Sequence, residues 1–484
     1  MRRFLSNFPL HTFLVIYFVS FFLYAQNYEL VDVSMVKRTL FYGTILSLLL
    51  FSISYLFHRN AIKSGITSTL VLLLIFNYGV TYDGLEYLYY RGNWPFANIH
   101  RYLLSFTLIS CVTIVWLVQK KIITGLKFNF FLNLLVLMLL VFNVSKIVIL
   151  NMNSEVKTEI PVEVSKTAGD AKLPPNIYYV ILDGYANQQV LKKYYNYDNS
   201  AFIDFLKHEG FYVADSSFAN YFSTMSSLSG TFNMDYLYSA TGDQRRNALR
   251  NNRLFPELKR KGYKLYNMES GYSVTSRFSH IDSTIAIASP NEFERSVLKF
   301  TIFRLDELFG ILQHRRLKSQ IEKLDEIVKI PGKQKFVFIH LVAPHPPFIF
   351  NSKGERVFNV KNHDNSWEPR QDYVEQLRYM NDVIKKFVSG ILRNDKQGVI
   401  ILQSDHGPWI ETVDKEARFE SRSMILNAIR APGGNKVPLY PGISSVNTFR
   451  YIIRNYFDST YAMIPDVMAG KGEIMESIFF TKKK

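Results

Sequence analysis

The chain has 484 residues and carries 57 Lys and Arg against 41 Asp and Glu, a formal net charge of +16 at pH 7. Hydrophobic residues make up 48%, and Cys111 is the only cysteine, so no disulfide can form within the chain. The sequence contains no Walker-type Gly-Lys loop, no dinucleotide-binding fingerprint and no internal repeat, which excludes the common nucleotide-binding and repeat classes.

The first 150 residues predict a transmembrane domain of five helices. Each of five apolar segments is close to the ~20 residues that a helix needs to cross a bilayer. A cleaved signal peptide would explain only the first of them, and no small-residue cleavage site follows it. The segments are Pro9–Ala25, Thr39–Phe57, Gly65–Val80, Leu103–Val118 and Phe128–Leu150.

Basic residues predict the orientation of these segments, because Lys and Arg concentrate in cytoplasmic loops. They precede the first segment and lie between the second and third and between the fourth and fifth, all of which are cytoplasmic if the N-terminus is inside. An odd number of spans then places everything after Leu150 outside the cytoplasm. The residues are Arg2, Arg3, Arg59, Lys63, Lys120, Lys121 and Lys127. The outer loop Tyr82–Tyr102 is rich in aromatic residues, as is typical of a membrane interface.

Residues 151–175 are polar and end in Pro174-Pro175, which predicts a linker. Residues 176–484 are enough for one large extracytoplasmic α/β domain. Apolar runs predict strands at 176–182, 264–268, 336–342 and 398–403, and helical spacing of apolar residues predicts helices at 199–209, 304–329 and 372–392. This alternation favours a mostly parallel sheet between helices.

The positive charge is shared between the two parts of the chain. Residues 1–150 hold 12 Lys and Arg and 4 Asp and Glu, so each part carries about +8. An exported surface of that sign suits anionic lipid head groups or phosphate-bearing substrates, although it also serves solubility. Nucleic acid is not expected as a partner on that side of a membrane.

Two of the predicted strands end at acidic residues. Asp183 follows Ile177-Tyr-Tyr-Val-Ile-Leu, and Asp405 and His406 follow the run that starts at Val399. Ligands of open α/β sheets bind beyond the carboxyl ends of such strands, so these side chains are expected to converge. Carboxylate and imidazole ligands suit Zn²⁺ or Mn²⁺. The alternative is that each Asp caps the helix after its strand.

A hydroxyl-rich segment where a turn enters a helix supplies candidate nucleophiles. A metal lowers the pKa of a hydroxyl, and a helix N-terminus favours the resulting oxyanion. Ordinary helix capping by Ser223 or Thr224 is the alternative, and the residues alone do not choose among the five hydroxyls. These are Ser223, Thr224, Ser226, Ser227 and Ser229.

His345 follows a third predicted strand and is flanked by Pro344, Pro346 and Pro347, which fix its backbone. That setting predicts a functional imidazole. His340, inside the same run, is interpreted as buried in the strand.

Ile181-Leu-Asp-Gly, the hydroxyl-rich segment, Ala343-Pro-His-Pro-Pro-Phe and Ser404-Asp-His-Gly occur in the order typical of the alkaline phosphatase/sulfatase superfamily. With five preceding spans, the chain resembles its membrane-anchored transferases, the lipoteichoic acid synthase-like phosphoglycerol transferases and the lipid phosphoethanolamine transferases. The first metal ligand of those transferases is often Glu, where this chain has Asp183. Sulfatases make formylglycine from Cys or Ser in Cys/Ser-x-Pro-x-Arg, and 223–230 contain neither Pro nor Arg.

The resemblance implies one Mn²⁺ or Zn²⁺ held by Asp183, Thr224, Asp405 and His406, with Thr224 as nucleophile and Ser223 as its competitor. It further implies that His345 binds the substrate phosphate or protonates the leaving group. Asn381 and Arg422 are additional candidates for substrate binding.

The implied reaction moves a phospho-alcohol group from a membrane phospholipid to an envelope glycan or lipid, at a bacterial-type cytoplasmic membrane. A membrane-anchored phosphodiesterase, phosphatase or sulfatase-like hydrolase is the main alternative, and a non-catalytic membrane scaffold is the third.

Overall fold

The computed structural model describes residues 2–28, 31, 33–92, 98–123, 125–153, 174–238, 240–304, 306–358, 366–412, 414–433 and 437–469. The chain forms two compact units. The first comprises Met1–Glu159 with Pro290–Leu308, and the second comprises Ile160–Ser289 with Phe309–Lys484. The division into domains at 150 and 175 stays a prediction, and residues 154–173 of the predicted linker lie outside the described part of the chain.

Each of the five predicted apolar segments is helical. The helices up to residue 153 are α1 (Arg2–Asn7), α2 (His11–Gln26), α3 (Val33–His58), α4 (Ala61–Tyr90), α5 (Ile99–Gln119) and α6 (Leu126–Asn153). By length and composition, α3 to α6 are able to cross a membrane, whereas α2 has only 16 residues. Helix α4 continues past Val80 to Tyr90, so much of the predicted outer loop Tyr82–Tyr102 is helix instead.

The remaining elements alternate between strands and helices. The strands are β1 (Ile177–Leu182), β2 (Tyr212–Val213), β3 (Lys264–Met268), β4 (Ser283–Ile285), β5 (Lys335–Leu341), β6 (Val399–Gln403) and β7 (Asn427–Arg430). The helices are α7 (Gln188–Tyr195), α8 (Ser200–His208), α9 (Thr224–Asn233), α10 (Gly242–Arg250), α11 (Leu254–Arg260), α12 (Ser273–Ser276), α13 (Glu292–Lys299), α14 (Asp306–Val328), α15 (Arg370–Asn394), α16 (Lys415–Ser423) and α17 (Thr448–Tyr456). A 3₁₀ helix, Ser445–Asn447, precedes α17.

The strands form one sheet in the order β2-β7-β6-β1-β5-β3-β4. Strands β6, β1, β5, β3 and β4 are parallel, and β7 and β2 are antiparallel additions at one edge. The predicted α/β class with a mostly parallel sheet is confirmed.

Both faces of the sheet are covered. In β1, the buried residues Tyr178, Val180 and Leu182 pack into one apolar cluster, which includes α7, α8 and α15. The alternate residues Ile177, Tyr179 and Ile181 pack into a second cluster with α9, α11 and α17. Two covered faces explain why the strands are continuous apolar runs.

Candidate metal centre and active site

The two strand-end acids lie side by side because β1 and β6 are parallel neighbours. Ile181 is paired with Gln403, so Asp183 and Asp405 leave the sheet at the same edge. Neither acid caps a helix, since the side chains of Asn187 and Asp414 cap α7 and α16. The capping alternative is therefore wrong for both acids.

The two carboxylates and His406 form a compact buried cluster. The Nε2 atom of His406 lies 3.4 Å from Oδ2 of Asp405 and 3.7 Å from Oδ1 of Asp183. All three residues are at most 3% exposed. Within the described residues, these two carboxylate oxygens have no hydrogen-bond partner. Burying such oxygens without a partner costs free energy, so a bound cation would stabilise the cluster.

The spacing of these atoms suits a transition metal. Ligand bonds of about 2.0–2.2 Å around a tetrahedral ion put the ligand atoms roughly 3.3–3.6 Å apart. The 3.4 Å distance from His406 Nε2 to Asp405 Oδ2 lies within that range, and the 3.7 Å distance to Asp183 Oδ1 lies just above it. Two carboxylates and an imidazole are ligand types that both Zn²⁺ and Mn²⁺ accept, so the residues fit the predicted metal without choosing between the two ions.

The ionisable groups of the cluster have pKa values that are shifted in different directions. Burial, followed by the charge of Asp183, raises the pKa of Asp405 to about 6. Burial alone would raise the pKa of Asp183, but His345, His340 and His406 outweigh it and hold that pKa below its usual range. Burial and the nearby Arg422 charge keep the pKa of His406 well below its ordinary value. His406 is therefore neutral at pH 7, the form in which imidazole binds metals.

His340 is the site residue that the sequence interpretation missed. It is fully buried in β5, as predicted, but its Nε2 lies 3.3 Å from Oδ2 of Asp183. Its Nδ1 lies 2.7 Å from Oγ1 of Thr275. Asp183, His340 and Asp405 offer ligand atoms that all lie within 4.8 Å of one another. This buried Asp-His-Asp group could itself hold a metal ion, and the His340 contact also orients the Asp183 carboxylate.

Thr224 is the hydroxyl that reaches the cluster. It is the first residue of α9 and lies close enough to Asp405 to lower the pKa of that carboxyl. The preceding Ser223 is the N-cap, and its Oγ accepts a hydrogen bond from the backbone N–H of Ser226. Ser223 therefore caps the helix, and the Thr224 hydroxyl at the positive N-terminus of α9 contacts the Asp405 carboxylate.

A second wall of the site is built around Trp367. Its ring makes an edge contact with His345, with 4.8 Å between ring centroids, and the guanidinium of Arg422 lies 5.8 Å from the indole centroid. Gly184 has a φ of +74°, and a Cβ atom there would overlap the Trp367 ring. A glycine after Asp183 is thus required both by the turn and by the close indole.

Arg422 is fixed by the backbone beside the cluster. Its guanidinium donates hydrogen bonds of 2.9 Å to the carbonyl of Phe222 and 2.8 Å to that of Gly407. Burial lowers the pKa of Arg422 to about 10, so it remains charged at pH 7. The site therefore contains a positioned cation next to two buried carboxylates.

Asn381 does not join this cluster. Its Oδ1 accepts a hydrogen bond from the Tyr185 hydroxyl, and its Nδ2 donates one to Oδ1 of Asn199, at 2.6 and 2.8 Å. Both ends of the amide are engaged, which favours a structural role. Substrate binding by Asn381 stays a prediction that these contacts do not support.

Solved structures with low sequence identity resemble the chain. The integral membrane lipooligosaccharide phosphoethanolamine transferase A from Neisseria meningitidis is 12% identical over 98% of this chain and 97% of that chain, with a TM-score of 0.42. The periplasmic domain of EptC from Escherichia coli, solved with Zn, is 13% identical over 60% of this chain and 85% of that one, with a TM-score of 0.41. A phosphonate monoester hydrolase from Agrobacterium radiobacter is 10% identical over 58% and 73%, with a TM-score of 0.39.

Comparison with curated protein sequences returned no match. The family model described as Sulfatase matches residues 175–449, more than half of the 484 residues. The matched range contains the two strand-end acids, Thr224, His345 and Arg422. The resemblance to the superfamily is thereby confirmed, and the chain belongs to the sulfatase family.

Proposed function

We propose that this protein transfers a phospho-alcohol group, phosphoglycerol or phosphoethanolamine, from a membrane phospholipid to an envelope glycan or lipid acceptor. The observation that carries the proposal is that the Thr224 hydroxyl, at the start of α9, reaches the buried Asp405 carboxylate, which lies beside Asp183 and His406. The apolar helices that precede the sulfatase-family region support a donor within the membrane.

Asp183, Asp405 and His406, with the Thr224 hydroxyl, would hold one Zn²⁺ or Mn²⁺. Such an ion, when bound, lowers the pKa of a hydroxyl and stabilises negative charge on a transferring phosphoryl group. His340 keeps the Asp183 carboxylate turned toward that position through its 3.3 Å contact. Orientation of ligands by buried partners of this kind is common in metal sites.

The reaction proceeds by two displacements. The Thr224 oxygen attacks the phosphorus of the donor phosphodiester, the bond from phosphorus to the lipid alcohol oxygen breaks, and a phospho-Thr224 intermediate forms. The acceptor hydroxyl then attacks the same phosphorus and the group leaves on the acceptor; the Thr224 hydroxyl proton passes to bulk water before the first attack and is regained from water after the second. The positive end of α9 stabilises negative charge on Thr224 in both steps.

Two further side chains have separate roles. His345 protonates the departing lipid alkoxide and, once neutral, accepts the proton of the acceptor hydroxyl in the second step. Its ring lies 6.1 Å from that of His406, measured between centroids, which places it at the edge of the cluster. Arg422 stays charged at neutral pH and binds a non-bridging phosphate oxygen.

An assay with purified full-length protein and head-group-labelled phospholipid tests the function. With a glycan or lipid acceptor present, we expect label on the acceptor and release of diacylglycerol. Release of free phospho-alcohol at the same rate with or without acceptor would identify a phosphodiesterase instead. Absence of turnover with Zn²⁺ and with Mn²⁺ would favour a non-catalytic scaffold.

The proposed location is a bacterial-type cytoplasmic membrane with the catalytic region on the extracytoplasmic side. A reporter that is active only outside the cytoplasm should be active when fused after Lys484 and inactive when inserted within 119–127. The reason is the distribution of basic residues between the apolar segments. An inactive fusion after Lys484, with the protein present in membranes, would contradict this topology.

A further inference from the structure

The first unit contains a segment from the middle of the sulfatase-family region. Residues 290–308 belong to the same compact unit as the membrane helices, whereas the chain on both sides of them belongs to the second unit. The family match spans 175–449, so the segment lies within the matched region in sequence but belongs to the first unit of the structure. We call residues 290–304, the part with described side chains, the anchoring segment.

The apolar contacts of the anchoring segment come from α13. Phe293, 1% exposed, and Val297 pack with Leu23 and Tyr24 of α2 and with Val36 of α3. Helix α13 therefore forms a small apolar core with the C-terminal part of α2 and the N-terminal part of α3.

Polar contacts fix the segment at the start of α3. Arg38 makes a two-pronged ion pair with Glu294, with N–O distances of 2.7 and 2.5 Å. The Asn291 side chain donates a 3.1 Å hydrogen bond to the backbone carbonyl of Met35. Asn291 and Glu294 also form the capping box of α13, so the residues that start this helix are the ones that bind α3.

The segment then crosses α4 at Gly79. The Gly79 backbone N–H donates a 3.0 Å hydrogen bond to the carbonyl of Phe300. A Cβ atom at Gly79 would lie 2.7 Å from the Cα atom of Phe300, closer than real Cβ contacts allow. Gly84, in the same helix, has no atom within 4 Å of an added Cβ. The absence of a side chain at Gly79 is thus what permits the backbones to meet.

The anchoring segment ends at Arg304, which contacts residues of α4 and α5. Its guanidinium pairs with Asp83 at 2.6 Å and lies 4.8 Å from the ring centroid of Tyr82. Its carbonyl oxygen meets the His100 imidazole, whose other nitrogen is 2.7 Å from the Tyr78 hydroxyl. The segment therefore contacts the C-terminal parts of α2 and α4 and the N-terminal parts of α3 and α5, which is one end of the bundle.

From these contacts we propose that residues 290–304 are an anchor that binds the sulfatase-family region to the ends of α2 to α5, independently of the linker after α6. One consequence follows. A chain cut in the linker stays assembled, because the anchor still holds the two fragments together.

The test uses the full chain with a protease site inserted between Ser165 and Lys166 and an affinity tag at the N-terminus. After cleavage in detergent, the N-terminal fragment is captured and the retained C-terminal fragment is quantified. Detergent removes retention by the lipid bilayer itself. We expect nearly complete retention at low ionic strength for the otherwise unchanged chain. Release of the C-terminal fragment from that chain would overturn the proposal.

Matched variants localise the attachment. Gly79→Ala should lower retention severalfold, whereas Gly84→Ala, the same substitution in the same helix, should leave it unchanged. Arg38→Glu and Glu294→Arg should each weaken retention, and the double variant should restore it. Equal retention in Gly79→Ala and Gly84→Ala, with no rescue by the charge swap, would refute the anchor. The readout is retention and not turnover, so failure here is distinguishable from failure of the proposed transferase activity.

Discussion

Thr224→Ala should lower kcat/KM by about 10³-fold or more while the protein still folds and inserts into membranes, because removal of a nucleophile leaves only binding and electrostatic effects. Alanine is a good helix former at the first position of α9, so little stability is lost. Turnover of labelled phospholipid and the thermal unfolding midpoint measure the two effects separately.

Ser223→Ala is the matched control. It removes the cap that accepts a hydrogen bond from the Ser226 N–H, at a cost of about 1 kcal/mol, yet it should keep much of its turnover. Thr224→Ser should retain part of the activity, since the hydroxyl survives with a less restricted rotamer. Loss of activity in Ser223→Ala at unchanged metal content, with Thr224→Ala active, would reverse the two assignments.

Asp405→Asn should weaken metal binding by more than about 100-fold, because changes to residues behind the ligands alone cost 10-fold to 100-fold. The same substitution should not destabilise the metal-free protein. Burial and Asp183 raise the pKa of Asp405 to about 6, which means that the folded state disfavours its charge at pH 7, and a neutral amide removes that penalty. Metal titration and unfolding with and without Zn²⁺ or Mn²⁺ give both quantities.

Asp395→Asn provides the comparison at the opposite end of the same strands. Its carboxylate accepts a 2.7 Å hydrogen bond from Asn176, which precedes β1. This variant should lose stability and keep its metal. Asp183→Ala and His406→Ala should behave like Asp405→Asn. Full metal content and activity in Asp405→Asn would show that the ion, if required, is held elsewhere.

The sequence predicts the centre of the sheet better than its edges. Strands β1, β3, β5 and β6 are apolar runs, and their positions agree with the predicted strands within one or two residues. Strands β2 and β4 have two and three residues, too few to show a period. Strand β7, Asn427–Arg430, contains two polar residues in four and lies antiparallel beside β6, so neither its composition nor an alternation with helices indicates it.

The candidate site shows the same limit. Asp183 and Asp405 could be placed together because both end apolar strands, and parallel strands end at one edge. His340 could not, because a histidine within an apolar strand resembles a core residue until β5 is known to pair with β1. The packing of the anchoring segment could not be predicted either. The apolar residues of α13 are spaced as in any amphipathic helix, and this spacing does not indicate that the helix packs against α2 and α3.

The proposed mechanism is tested most directly by locating the covalent intermediate. Full-length protein loaded with Zn²⁺ or Mn²⁺ is incubated with head-group-labelled phospholipid without acceptor, quenched in acid and mapped by mass spectrometry. We expect a phospho-alcohol adduct on Thr224 that disappears when acceptor is added and is absent from Thr224→Ala. An adduct on Ser223, Ser226 or Ser227, or turnover with no adduct on any of these residues, would contradict the proposed mechanism.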